Sequence, residues 1–367
     1  MKIAVVHYWL VNMRGGEKVI EAILEMFPQA DIFTHVYDKK ASSSLVKDRS
    51  VFTSRINRLP FAKKLYQLYM PLMPNALMDF NLQKYDLVIS SESGPSKGVV
   101  PNPCAFHVCY CHSPMRYLWD MYHDYLKNTN SFVRFFMKKL IPNLRLWDVM
   151  SANMVDCFVA NSNYIAKRIK RYYNREAVVI YPPVDIEKFQ PAERKPSDYY
   201  LFFGQLTGYK RADLAIEACI KSGRKLIVAG AGAKKKEIKK YTKTGLVTFI
   251  GRISNNDIID LYAGAKALLF PGIEDFGIIP VEAQAAGCPV IAFRGGGALE
   301  TVKENVTGIF FNEQNPSSLI KAIDDFEEAE KQGIFNDRNN FTEHIQQFSS
   351  ESFKGKFKEI IEKRSHI

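Results

Sequence analysis

Phe270-Pro271-Gly272-Ile273-Glu274-Asp275-Phe276-Gly277-Ile278-Ile279-Pro280-Val281-Glu282-Ala283 decides the fold. The apolar run Ala267–Phe270 reads as a buried strand, Pro271-Gly272 ends it, and a helix is predicted to begin near Ile278. Glu274 then lies on the loop and Glu282 on the helix, both at the carboxyl edge of a sheet, where open α/β folds bind ligands. Two carboxylates eight positions apart can accept hydrogen bonds from hydroxyls of two different sugars, while backbone amides of Phe276, Gly277 and Ile278 meet a phosphate. Ordinary surface acids are the plain alternative, and the Gly and Pro around them argue against it.

The same alternation of strand and helix extends in both directions. Before this stretch, apolar runs of strand length lie at 199–203, 225–230 and 247–251, and another follows at 289–293. Helices are expected near 211–221, 234–242, 255–264, 278–287 and 316–330. The first half repeats the pattern, with strands near 3–8, 31–37, 85–91, 105–111, 157–161 and 177–181. Its first helix, Gly16–Phe27, carries Val19, Ile20, Ile23, Leu24 and Phe27 on one face. Two such series predict two α/β domains with parallel sheets covered on both faces. Their boundary is expected in the Pro-rich stretch 181–196, giving domains 1–185 and 186–345. Residues 346–367 read as a terminal helix, with Phe353, Phe357, Ile360 and Ile361 spaced for one face, packing back on the first domain.

Two further glycine turns follow first strands. Arg14-Gly15-Gly16-Glu17 opens the first helix, where free amides and the positive end of the helix dipole suit a phosphate, although a simple tight turn explains a lone Gly-Gly equally well. Phe203-Gly204-Gln205-Leu206-Thr207-Gly208-Tyr209-Lys210-Arg211 places Lys210 near a helix start as a point charge for a diphosphate. Neither turn carries Gly-x-Gly-x-x-Gly, which counts against a dinucleotide-dependent oxidoreductase.

The formal net charge is +11, most of it in the first 185 residues. Phosphorylated small molecules and an anionic membrane face fit that charge; nucleic acid is excluded as a partner because no nucleic-acid-binding motif accompanies it. Arg55–Pro74 and Ser131–Arg145 are basic, aromatic-rich and amphipathic, as segments lying on an anionic inner-membrane surface are, or as core helices with a basic solvated face are. The chain shows no signal-peptide pattern and no run of 18 apolar residues, so a cytoplasmic protein is expected, peripheral to the membrane at most. The six cysteines have neither zinc nor redox spacing and read as structural thiols.

The Glu-x7-Glu element, Ala286-Gly287-Cys288-Pro289-Val290-Ile291-Ala292 and Gly296-Gly297-Ala298-Leu299-Glu300 resemble retaining glycosyltransferases of family 4. Cys109-Tyr110-Cys111-His112-Ser113-Pro114-Met115-Arg116-Tyr117-Leu118-Trp119-Asp120 resembles the family's bacterial O-antigen and exopolysaccharide branch, mostly mannosyltransferases that use GDP-mannose. The resemblance runs along nearly the whole chain. It implies a GT-B fold, two facing Rossmann-like domains with a cleft between them, a nucleotide-sugar donor and a glycan or polyprenyl-linked glycan acceptor. It also implies a role for each matched residue. Glu274 would bind donor-sugar hydroxyls and Glu282 the ribose. Phe276, Gly277 and Ile278 would offer backbone to sugar and diphosphate. Lys210 would neutralise the leaving group, which Gly15 and Gly16 would face from the first domain. His112 matches the family's active-site histidine, and Arg252 and Ile253 fall where the base is contacted. The family's usual arginine partner to the lysine is Gln205 here, so either Arg211 or Arg14 supplies that charge or activity is reduced. No Asp-x-Asp occurs, so neither a bridging metal nor a cofactor beyond the sugar nucleotide is expected. An epimerase and a non-catalytic sugar-nucleotide-binding protein are the rival function classes.

Overall fold

The computed structural model describes every residue except 14, 128, 191–192, 233–238 and 365–367. It divides into two compact units, Met1–Pro182 with the residues from Lys354 onward, and Pro183–Phe353.

The first unit is built on a seven-stranded parallel sheet in the order β3-β2-β1-β4-β5-β6-β7. Its strands are β1 (Ile3–His7), β2 (Asp31–Thr34), β3 (Val51–Thr53), β4 (Leu87–Glu92), β5 (Phe106–Cys111), β6 (Cys157–Ala160) and β7 (Ala177–Val179). β1 and β4 are buried along their whole length, as central strands covered on both faces must be. The helix Gly15–Met26 buries Val19, Ile20, Ile23 and Leu24, the stripe its spacing predicts. Ser162 starts the helix Asn163–Tyr173 by accepting from the Ile165 amide, and Asn174, in left-handed geometry, ends it. The terminal helix Ser350–Arg364 contributes to this unit from Lys354 on: Phe357 lies 6.5 Å from the Tyr110 ring, and Lys354 pairs with Glu25 at 2.7 Å.

The second unit has a six-stranded parallel sheet in the order β10-β9-β8-β11-β12-β13. These are β8 (Tyr200–Phe203), β9 (Leu226–Ala229), β10 (Val247–Gly251), β11 (Leu268–Phe270), β12 (Val290–Phe293) and β13 (Gly308–Phe311). Asn315 caps the helix Pro316–Lys331, whose Leu319, Ala322, Ile323 and Phe326 fill one core with Tyr200, Phe202 and Ile216. In both sheets the chain winds outward one way from its first strand and then reverses, so a topological switch point lies between β1 and β4 and another between β8 and β11.

The structure departs from the expected elements in several places. β3, with the exposed Phe52 at its centre, and β13 are strands the apolar runs did not reveal. The helix Asn163–Tyr173 is also not legible, whereas the helical pattern of 340–367 does take in most of Arg338–Ile345. Arg55–Pro74 is not one amphipathic helix but a succession of short turns, 55–58, 62–65 and 66–72 among them, because Pro60, Pro71 and Pro74 interrupt it. The helix expected at 234–242 falls largely outside the described residues; 239–244 forms a 3-10 turn. All six cysteines are free thiols.

Candidate active site

In the second unit, the loops leaving β8 and β11 at the switch point carry the two most informative side chains. Lys210 Nζ lies 2.6 Å from Glu274 Oε1, and both side chains are largely shielded from solvent. The predicted phosphate cation and the predicted sugar carboxylate are thus brought together as an ion pair. Gly277, at φ +92°, turns the chain into the helix Ile278–Ala285, so its first amides sit one residue past the buried Phe276. That turn is clamped from behind: a Cβ on Gly297 would stand 2.2 Å from the Phe276 carbonyl oxygen, so only glycine lets the two loops touch. Glu282 is partly buried one turn into the helix and accepts a long contact, 3.5 Å, from the buried Tyr262 hydroxyl. Burial and the nearby Glu282 carboxylate hold the Tyr262 phenol far above its usual range, so it stays a neutral donor.

The remaining predicted donor contacts spread along the same edge. Gln205 is exposed beyond β8, and Arg252 is exposed, with Ile253 half-buried, beyond β10. Arg211 adopts left-handed geometry, φ +55°, and its Nε donates to Asp213 Oδ2 at 3.1 Å. Its guanidinium is therefore engaged on its own helix start, and Arg14 lies outside the described residues.

The first unit gathers His112, Gly15 and Gly16 at its own switch point. His112 follows directly on β5, and its amide donates to the Glu92 carbonyl. Gly16 lies against it: a Cβ there would meet the Tyr8 hydroxyl at 2.7 Å and His112 Nε2 at 3.6 Å. Burial, reinforced by the neighbouring His7, pushes the His112 pKa down to about 3, so the ring is neutral at physiological pH. The loop after His112 is pinned by buried Arg168, which donates to Ser113 Oγ at 2.9 Å and the Pro114 carbonyl at 3.2 Å and pairs with Asp120.

Beneath this edge lies a cluster that sequence reading missed. Lys97, Glu92 and Asp148 are all fully buried; Lys97 Nζ pairs with Asp148 and lies 3.4 Å from Glu92 Oε1. Burial alone would discharge the lysine, but Asp148 and Glu92 outweigh it and hold the ammonium charged. Glu92 Oε2 accepts from the amides of Ser96 and Lys97, closing the loop after β4. The three partners are scattered over 56 positions of sequence, and no motif links them. Among the described residues, no group of three or more His, Cys, Asp or Glu side chains is placed to hold a metal ion.

Two family descriptions match the chain in tandem: Glycosyltransferase Family 4 over residues 13–188, and Glycosyl transferases group 1 over residues 183–348. Among curated proteins, it is 33% identical over 133 residues to an uncharacterized glycosyltransferase of Methanocaldococcus jannaschii, covering 34% of each chain. It is 28% identical to the human alpha-1,3/1,6-mannosyltransferase ALG2 over 52% of this chain and 55% of that one. The chain thus spans about a third to a half of the length of these relatives. Among solved structures, Anabaena HepE in complex with UDP superimposes with a TM-score of 0.73 at 19% identity, over 99% of this chain and all of that one.

Proposed function

We propose that this chain, of the GT-B glycosyltransferase type by the two family descriptions its halves match, transfers a hexose from a nucleotide diphosphate to a hydroxyl of a growing cell-surface glycan, with retention at the anomeric carbon. The observation that carries the reading is the Lys210–Glu274 pair at the start of the helix Ile278–Ala285. A cation and helix amides suit a pyrophosphate, and a carboxylate suits the hydroxyls of the attached pyranose. In the reaction, the bond from the anomeric carbon to the diphosphate oxygen breaks and a bond to the acceptor oxygen forms on the same face. The acceptor proton passes to the departing phosphate. Lys210 and the helix amides stabilise the charge that develops there, and Glu274 orients the sugar. Glu282 takes the ribose, Phe276, Gly277 and Ile278 the sugar and diphosphate through their backbone, and Arg252 and Ile253 the base. His112 is the first unit's contact to a sugar hydroxyl.

Mannose from GDP-mannose is the preferred donor and a polyprenyl-linked O-antigen-like or exopolysaccharide glycan the preferred acceptor. The matched half of ALG2, a mannosyltransferase, supports the sugar. A UDP- or dTDP-sugar is the alternative, and a thermal-shift screen of GDP, UDP, dTDP and their sugars separates them. Lys210→Ala and Glu274→Ala are each expected to abolish transfer, but for different reasons that calorimetry resolves. Lys210→Ala weakens binding of the free nucleoside diphosphate by about 10- to 100-fold, the loss of one charged hydrogen bond. Glu274→Ala keeps that affinity and loses only what the sugar adds. Near-normal turnover in both variants removes the assignment.

The acceptor reading gives the exposed face of the helix Ser131–Ser151 a role. Phe132, Phe135, Phe136, Leu146 and Met150 are exposed along it, Phe132 at 73% and Phe135 at 64%, with Lys138 and Lys139 exposed among them. An apolar stripe bordered by lysines matches an anionic bilayer surface. No helix among the described residues is long and apolar enough to cross a membrane. Sedimentation with phosphatidylcholine vesicles containing phosphatidylglycerol is expected at low salt, and loss of it in the Phe132→Ser/Phe135→Ser variant; equal binding to pure phosphatidylcholine overturns the electrostatic part.

A further inference from the structure

Four side chains at the first switch point form a continuous polar line in which only His112 has a predicted role. His7 is the last residue of β1 and Ser91 its in-register neighbour on β4. Ser91 Oγ lies 3.0 Å from His7 Nδ1 and 2.8 Å from His112 Nε2. On the far side of His7, Nε2 is buried without a hydrogen-bond partner among the described residues, and the nearest carboxylate oxygen, Glu17 Oε1, stands 3.9 Å away. His7 and Ser91 are fully buried and Glu17 is 3% exposed.

With both rings uncharged, proton counting leaves this line two hydrogen-bonded states. The Ser91 hydroxyl has one proton, so it donates to one ring nitrogen and accepts an N–H from the other. If it donated to His112, His7 would carry its proton on Nδ1, and the bare Nε2 lone pair would face a buried carboxylate. If it donates to His7, the His7 proton sits on Nε2 and points its positive end toward Glu17. At 3.9 Å in a dry interior, the charge–dipole term favours the second state. His112 is then the donor to Ser91 through Nε2–H, and its Nδ1 is left as the ring's acceptor.

We infer that Ser91 and Glu17, acting through His7, are positioning residues that hold His112 in the Nε2–H tautomer, so that Nδ1 accepts a hydrogen bond from a sugar hydroxyl. The inference rests on the reading of His112 as the sugar-contacting residue. Its physical basis is the rule that the hydrogen bond made by one imidazole nitrogen decides the state of the other. Gly16 belongs to the same device: with no Cβ, it lets the helix start carrying Glu17 approach the Tyr8 hydroxyl and His112.

The test reads the tautomer directly. The full chain, labelled with 15N-histidine, is studied by two-bond proton–nitrogen correlation at pH 8, with His112→Gln identifying the signals. The wild type is expected to show a bare Nδ1 and a protonated Nε2 on His112, and Ser91→Thr, which keeps the hydroxyl, the same. Ser91→Ala and Glu17→Leu are expected to give a mixture of tautomers and to lower kcat/KM for transfer by about tenfold, the worth of one ordered hydrogen bond. A wild-type His112 protonated on Nδ1, or a tautomer unchanged in Ser91→Ala, overturns the inference. The spectrum needs no substrate, so a chain without transferase activity would sink the functional reading and leave the tautomer result standing.

Discussion

The two units share one pattern of strand order and build the carboxyl edge of their sheets from opposite materials. In the first, side chains do the building: among the described residues every buried acid, lysine or arginine, Glu17, Glu92, Lys97, Asp148 and Arg168, belongs to it. In the second, backbone does: Gly204 and Gly230 bring β8 and β9 so close that a Cβ on Gly230 would stand 1.8 Å from the Gly204 carbonyl oxygen. Apart from the shielded Lys210–Glu274 pair, its ion pairs, such as Arg294 with Glu304, lie toward the surface. A phosphate-binding edge needs amides and room for the ligand's own charge, which glycines give. An edge that fixes a ring or a loop needs rigid polar partners, and buried hydrogen-bonded side chains give that at the expense of desolvation. The same fold thus makes one half stiff and electrostatically committed and leaves the other open.

The sharpest way to break the contrast is Lys97→Met. It leaves Glu92 and Asp148 buried without their cation, and the expected loss is about 3–5 kcal/mol, concentrated in the first unit. All three tryptophans, Trp9, Trp119 and Trp147, lie in that unit, and Trp119 Nε1 donates to Asp148 Oδ2 at 2.8 Å. Urea unfolding followed by tryptophan fluorescence is expected to shift to lower denaturant well ahead of the far-UV circular dichroism, which both units contribute to. Coincident shifts in the two signals would show that the buried triad stabilises both halves alike and would dissolve the distinction.

What was legible in the sequence follows the same division. The glycine-rich edge could be read because backbone approach needs one residue type at fixed offsets from a strand, as at Gly204, Gly277 and Gly297, and because Lys210 and Glu274 lie on the loops those glycines mark. The side-chain edge could not. Lys97 meets Asp148 only because the loop after β4 lies against the helix Ser131–Ser151, and His7 meets Ser91 only through the register of β1 on β4. Strand order and register are tertiary facts. Lys97 in isolation reads as a solvated lysine, and His7 as the polar end of an apolar run. His112 was reached through resemblance, while the residues that orient it carried no local signal. β3 stayed hidden for a related reason: as an edge strand it needs no continuous apolar run.

A smaller effect sharpens the comparison through pH. Burial pushes the pKa values of His35 and His107 down to about 4, and that of His112 to about 3. All three are in the first unit, and each ring is held by buried serines: Ser54 on His35, Ser90 on His107, Ser91 on His112. In the unfolded chain they take up protons near the ordinary value of about 6.5. Between that pH and 4 the unfolded state binds more protons, so the stability these neutral rings confer is complete above about 6.5 and falls as the pH drops. At pH 5.5 the expected loss is about 1 kcal/mol for each of the fully buried pair, His35 and His107. The second unit answers to a more acidic window. Hydrogen bonding to Arg224 holds the Glu327 carboxyl down at about 2, so the stabilisation from that pair is present above the usual carboxylate range and fades only as the pH falls from about 4.3 toward 2. Half-buried His344, whose pKa is also lowered by burial, is its one described histidine. Urea midpoints at pH 7.5 and 5.5 are expected to fall for the tryptophan signal by several times the change in the remaining circular dichroism transition. Equal falls would mean that the histidines are not the acid-sensitive element, and His35→Gln with His107→Gln, by leaving the pH dependence of the fluorescence transition unchanged, would prove the same point.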